Sequence, residues 1–202
     1  MQTHAQKKTR FAAERDPNKR ATFVEEQQKL SAKQLFFLDE SGFHLAMTSL
    51  YGWSPRGKRL EEAVPFQKGT NYSVLGAFSL EGMVATFSKE GSVKREDLEY
   101  FLKETLLPKL PAESVLVLDN ARSHHGGNLS ALVSAAGCSL LYLPPYSPDF
   151  NPIELAWGWI KQKVRRLAPR DAVSRLEAIQ SALASLPKEF GVTWFRKAGV
   201  QC

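Results

Sequence analysis

The sequence predicts an α/β protein, a mixed β-sheet covered by helices. Three observations point there. Leu35-Phe36-Phe37-Leu38 and Val115-Leu116-Val117-Leu118 are unbroken apolar runs, the pattern of strands buried on both faces, and each is followed by an aspartate. Between them, residues 71–78 and 83–87 form two further strand-like segments joined by Leu80-Glu81-Gly82, a hairpin pattern. After residue 94, stretches with helical spacing alternate with short apolar runs.

The elements follow in order. Residues 1–33 are rich in Lys, Arg, Glu and Gln; 23–30 has no convincing apolar face for a helix, so this region reads as a basic arm or linker. The first strand ends at Asp39, and Gly42-Phe43-His44-Leu45 reads as a second short extended segment. Tyr51-Gly52-Trp53-Ser54-Pro55-Arg56-Gly57-Lys58-Arg59 is punctuated as a loop. Residues 94–107 make an amphipathic helix with Leu98, Phe101, Leu102 and Thr105 inward and Pro108 beyond its end. The strand ending at Asp119 comes next, then a short helix at 129–136 closed by Gly137. Leu140-Leu141-Tyr142-Leu143 is a strand stopped by Pro144-Pro145. Helices follow at about 152–166 and 174–186. A three-strand meander, then helix, strand, helix, strand and closing helices is the order of the ribonuclease-H-like fold, in which acidic residues of the first and fourth strands meet at one edge. The expected organisation is an arm at 1–33, the domain at 34–170 and a helical extension packed on it at 171–202.

With 43% hydrophobic and 24% charged residues, the chain of 202 has the composition of a globular domain rather than a disordered one. It carries 27 Lys and Arg against 21 Asp and Glu, a net charge of +6, which suits a polyanionic partner through counterion release. No apolar run approaches the roughly 20 residues that cross a bilayer. The polar N-terminus lacks a signal-peptide core, and Cys138 and Cys202 make no ligand pair. Membrane partners are not expected, and the expected compartment is the cytoplasm.

Two aspartates at the ends of neighbouring strands would face each other where ligands of open α/β sheets bind. Bare carboxylates so placed repel, and a hard, oxygen-loving cation such as Mg²⁺ relieves the conflict. Each also has a structural reading: Asp39 as a turn cap, Asp119-Asn120 as an Asx turn. Asn151-Pro152-Ile153-Glu154 is a good helix start with Glu154 in a capping box. Beyond the cap, Ile153, Trp157, Ile160, Val164 and Leu167 form a core stripe, while Glu154, Gly158, Lys161 and Arg165 share its flank. A carboxylate beside a small residue and two cations suits a metal site next to a phosphate track.

Phe37-Leu38-Asp39-Glu40-Ser41-Gly42-Phe43, Val117-Leu118-Asp119-Asn120 with His124, and above all Leu143-Pro144-Pro145-Tyr146-Ser147-Pro148-Asp149-Phe150-Asn151-Pro152-Ile153-Glu154 closely resemble the DDE catalytic domain of Tc/mariner-superfamily transposases. So does the separation of Asp119 and Glu154 by 34 residues. The loop Gly52-Trp53-Ser54-Pro55-Arg56-Gly57 looks like the bacterial insertion-sequence branch. The resemblance covers about residues 34–170. It implies a DNA endonuclease and strand transferase for cut-and-paste transposition, in which Asp39, Asp119 and Glu154 are catalytic and hold two Mg²⁺ ions, with Mn²⁺ as substitute. By the same resemblance Asp39 bridges both ions, and Asp119 and Glu154 each complete one site. The implied partners are double-stranded DNA, as transposon ends and a TA target, and a second copy of the chain when active. Members of this superfamily usually carry a longer helix-turn-helix region ahead of the domain, whereas residues 1–33 form no such pair. Recognition of transposon ends by this chain alone is therefore in question.

Lesser candidates each have two readings. His124, by resemblance, contacts a phosphate or water near the cleavage site, or it is a solvated loop histidine. Trp53, Arg56, Lys58 and Arg59 form a DNA-contacting loop, or a packed tryptophan among solvated cations. Lys161, Lys163, Arg165 and Arg166 make a basic helix face toward DNA, while Trp157 and Trp159 pack. The functional alternative is a truncated, non-cutting DNA-binding regulator of a full-length transposase. A different ribonuclease-H-like enzyme, such as an RNA-cleaving one, is opposed by the Pro-Pro-Tyr-Ser-Pro-Asp run.

Overall fold

The computed structural model describes residues 12–49, 51–64, 66–120 and 128–202. Its frame is a five-stranded sheet in the order β3-β2-β1-β4-β5, built from β1 (Leu35–Phe43), β2 (Tyr72–Ser79), β3 (Gly82–Glu90), β4 (Val115–Leu118) and β5 (Ser139–Tyr142). The first three run antiparallel as a meander, while β4 is parallel to β1 and β5 parallel to β4. Side chains alternate across a strand, so the apolar runs feed two cores. Leu35, Phe37, Val115 and Val117 pack with α1 (Pro17–Gln28), α4 (Ile153–Leu167), α5 (Ala172–Ala184) and α6 (Phe190–Lys197). Phe36, Leu38, Leu116 and Leu118 pack with α2 (Arg95–Tyr100), its continuation and α3 (Leu129–Ala135). Each large side chain so buried contributes about 1.5–3 kcal/mol.

Several elements differ from expectation for local physical reasons. β1 does not end at Asp39. It continues paired with β2 from Asp39↔Gly76 to Phe43↔Tyr72, so residues 42 and 43 complete the same strand. Asp16 caps α1 by accepting hydrogen bonds from the backbone N–H groups of Asn18 and Lys19, and Pro17 opens the helix. The helix at 94–107 is α-helical only over Arg95–Tyr100. It widens to a π-helix at Phe101–Leu106, and the wider turn buries Leu106 where Thr105 was expected, before Pro108 closes a 3₁₀ turn. Leu167 is half exposed rather than in the core, because it is the last residue of α4 and Ala168 turns the chain left-handed at φ 47°. α6 was not foreseen, and its Trp194 and Phe195 are buried against the sheet. Gly137 closes α3 at φ 69°, as expected.

Candidate active site

Parallel pairing sets the first two carboxylates. β1 and β4 align as Leu35↔Val115, Phe36↔Leu116 and Phe37↔Val117; Asp39 follows two residues after Phe37 and Asp119 two residues after Val117, and both line the same cleft. Both follow the alternation of Phe37 and Val117, and so lie on the sheet face that α4 covers. The third arrives through a glycine. Asp39 pairs with Gly76 on β2, and a Cβ at Gly76 would stand 2.8 Å from the ring of Trp157. Bare backbone there admits the Trp157 ring, one turn after Glu154, and seats the start of α4 over the aspartates. Asp39, Asp119 and Glu154 together line one cleft of about 360 Å³, walled by Pro144, Pro145, Tyr146 and Asn151.

The capping box expected at Glu154 is absent. Pro152, in helical conformation, occupies the cap position, no side chain caps the helix, and the Asn151 Oδ1 is buried without a partner. The first turn is tied by the Glu154 N–H donating to the Asn151 carbonyl at 3.2 Å and the Leu155 N–H to that of Pro152 at 3.1 Å. The Glu154 carboxylate is thus not used by a cap. The side chain keeps exposed surface, but crowding around the carboxyl group pushes its pKa up; Lys161 pulls it down and the charge of Asp119 raises it further. Among the described residues no three His, Cys, Asp or Glu side chains converge at metal-holding spacing. The charged groups lining the cleft are nonetheless all carboxylates, and the mutual repulsion of Glu154 and Asp119 is of the kind a hard divalent cation relieves. The residues fit such an ion in chemistry.

Residues 34–177 match the model of the DDE superfamily endonucleases. The chain belongs to that family. Its DDE domain is similar to two transposases of Caenorhabditis briggsae. That of transposable element Tcb1 is 28% identical over 159 residues, covering 74% of this chain and 58% of the relative. That of Tcb2 is 27% identical over 161 residues, covering 75% and 59%. The chain therefore spans a little under three fifths of these relatives. Among solved structures, the Mos1 transposase paired-end complex with left transposon end superimposes with a TM-score of 0.74 at 14% identity, over 96% of this chain and 63% of that one. The mariner Mos1 paired end complex with Mg gives 0.74 at 16% identity, over 98% and 64%. The catalytic domain of Mos1 mariner transposase gives 0.60 at 14% identity, over 90% and 85%. This likeness, with the strand order above, shows the ribonuclease-H-like fold.

The remaining candidates of the DDE domain fall into three groups. His124 lies outside the described residues. Arg56, Lys58 and Arg59 stand on a fully exposed loop at 51–64, and Trp53 beside them is completely exposed, not packed. Trp53 also lines a wider cavity of about 1130 Å³ together with Arg165, Arg166 and His44, at the far end of α4 from Glu154. Lys161 is half-buried on the Glu154 flank, where Gly158 leaves open space. Sequence reasoning gave no role to His44, whose Nδ1 is buried without a partner and whose pKa is lowered by burial and by Lys68, Arg165, Arg175 and Lys161. Nor did it single out Tyr146, exposed on the cleft wall with φ 56°, a strained value for a non-glycine residue. No local pattern marks His44, whereas the rigid Pro144-Pro145 pair before Tyr146 was a usable signal.

Proposed function

We propose that this DDE domain is the catalytic part of a cut-and-paste DNA transposase, cleaving phosphodiester bonds and joining the freed ends to new DNA. The observation that carries the reading is that Asp39, Asp119 and Glu154, from separate parts of the chain, all line one cleft. In this reading Asp39, Asp119 and Glu154 would hold two Mg²⁺ ions (or Mn²⁺), Asp39 serving both sites and Asp119 and Glu154 one each. When bound, the ions would stabilise the attacking and leaving oxygens of an in-line displacement at phosphorus. The chain's own part is placement: β1 and β4 fix the aspartates, and Trp157 against Gly76 fixes Glu154. Hydrolysis would free a 3′-hydroxyl at a transposon end, and that hydroxyl would attack target DNA at a TA step, which deforms easily. Trp53, Arg56, Lys58, Arg59, Lys161 and Arg165 would follow the backbone, with His124 at the phosphate.

The likeness of the fold to Mos1 paired-end complexes supports a homodimer at work on two ends. Residues 1–33, 34–170 and 171–202 would serve as arm, catalytic domain and extension. No helix of the described residues is long and apolar enough to cross a membrane, and the cytoplasm is the proposed compartment. A place in the bacterial insertion-sequence branch rests on the Gly52–Gly57 loop alone, and the two Caenorhabditis briggsae relatives lend it no support.

The test is nicking of supercoiled plasmid by the purified chain with Mg²⁺ or Mn²⁺, beside Asp39→Ala, Asp119→Asn and Glu154→Ala. Metal-dependent nicking by wild type and its loss in all three variants is expected. Equal nicking by wild type and variants removes the assignment, and DNA binding without nicking favours the non-cutting regulator.

A further inference from the structure

We propose that Arg20 is a positioning residue for Glu154: α1 clasps the turn that brings Glu154 into the cleft and stands in for the missing helix cap. The proposal rests on the reading of the cleft above. Between β5 and α4 the chain makes a 3₁₀ turn, Pro148–Phe150. The residues on either side of it, Ser147 and Asn151, wall the cleft. The outer side of the turn is held by α1. Arg20 donates to Asp149 through both arms of its guanidinium, Nη1 to Oδ1 at 3.1 Å and Nη2 to Oδ2 at 2.7 Å, and Arg15 adds a contact at 3.3 Å. The Arg20 guanidinium carbon lies 3.7 Å from the Phe150 ring centroid, and Phe150 stacks on Phe23 at 5.4 Å and 22°.

This is more than a surface ion pair. The Arg20 side chain is 12% exposed, against 51% for Asp149, and Phe23 is 3% exposed, so Arg20 is held by packing as well as by charge, and the Phe23–Phe150 stack holds the turn beside it. Burial works against the Asp149 carboxylate, yet the hydrogen bonds and charge of Arg20, with Arg15 behind it, keep its pKa below the ordinary value. The clasp also sits where local structure is weakest. α4 begins without a side-chain cap, Pro152 has no N–H to give, and the Asn151 Oδ1 finds no partner. Glu154 is in that uncapped first turn. A turn held from outside needs no cap, and one released should let the carboxylate wander. The inference also changes the role of the basic arm: the guanidinium of Arg20 is committed to Asp149 and is not offered to a DNA phosphate.

The experiment compares wild type, Arg20→Ala, Arg20→Lys and Asp149→Asn as full chains. In plasmid nicking, Arg20→Ala should lower the rate at saturating DNA on the order of ten- to a hundredfold, as small displacements of a reacting group do. The DNA concentration for half-maximal rate should stay unchanged, and Arg20→Lys, keeping charge without the fork, should be intermediate. Amide hydrogen exchange without DNA or metal should quicken at residues 153–156 in Arg20→Ala and Asp149→Asn, with β1 and β4 still protected. Unchanged exchange there overturns the proposal, and so does an Arg20→Ala that binds DNA more weakly at an unchanged maximal rate. Should Arg20→Ala unfold, Asp149→Asn, which keeps Phe23 on Phe150, decides by the same two measurements. A wild type that never nicks counts against the reading of the cleft, while the exchange data still decide the clasp.

Discussion

Crowding raises the Glu154 pKa, Lys161 pulls against that rise, and Asp119 adds to it. A carboxyl group whose folded pKa lies above its unfolded value of 4.5 contributes stability that is complete below that value and is lost as pH rises through the folded one. In chelator, therefore, wild-type Tm should fall relative to that of Glu154→Gln as pH rises from 4.5 through the raised pKa, and Glu154→Gln should melt higher at neutral pH. Adding Mg²⁺ should raise the wild-type Tm more than that of Glu154→Gln; matching pH profiles with matching Mg²⁺ responses would refute this account. The aspartates were legible in the sequence because alternation puts 35, 37 and 39, and 115, 117 and 119, on one face. Glu154 was not separable from a helix cap, since Asn151-Pro152 carries the same letters whether Asn151 caps or turns inward. In the structure Asn151 does not cap, and the neighbouring Phe150 stacks on Phe23 of α1, far away in the chain.

Elements with strong periodicity were readable, and those held by distant partners were not. β4 was found to the residue, and α4 to within a residue or two at each end. α1 buries only Phe23 and Gln27, so no stripe announces it, although Asp16-Pro17 was a usable start signal. α6 contains Gly191, Val192 and Thr193, poor helix formers, and exists because Trp194 and Phe195 are buried. Two glycines make the element scale testable. A Cβ at Gly191 would run into the Leu80 carbonyl oxygen, so Gly191→Ala should destabilise in urea unfolding despite a helix-propensity gain of about 1 kcal/mol. Gly76→Ala, pressing on Trp157, should cost about 1–3 kcal/mol and lower nicking beyond its effect on folding, because it lifts the start of α4 from the sheet. A stabilised Gly191→Ala, or a Gly76→Ala of full activity, would show that these close approaches relax freely.

Over the whole molecule, the excess charge of +6 says that a polyanion is a suitable partner, but only the fold says which cations are free to meet it. Arg170 is paired with Glu62 at 2.8 Å, and Arg20 with Asp149 at 2.7 Å. Arg56, Lys58 and Arg59 stand exposed on the 51–64 loop, and no carboxylate lies within ion-pair distance of them, or of Lys161 and Arg165 on α4, among the described residues. Each cation that meets a phosphate adds about 0.9 to the steepness with which log affinity falls against log salt. Binding of a duplex oligonucleotide, titrated at several salt concentrations, should thus lose up to about 0.9 of slope for each of Arg56, Lys58, Arg59, Lys161 and Arg165 changed to Ala. Arg170→Ala should leave the slope nearly unchanged, since its charge already has a partner. A slope that responds equally to paired and unpaired cations would mean the chain binds DNA through its net charge alone. A slope that responds only to the unpaired ones would trace the duplex from the exposed loop along α4 toward the carboxylate cleft.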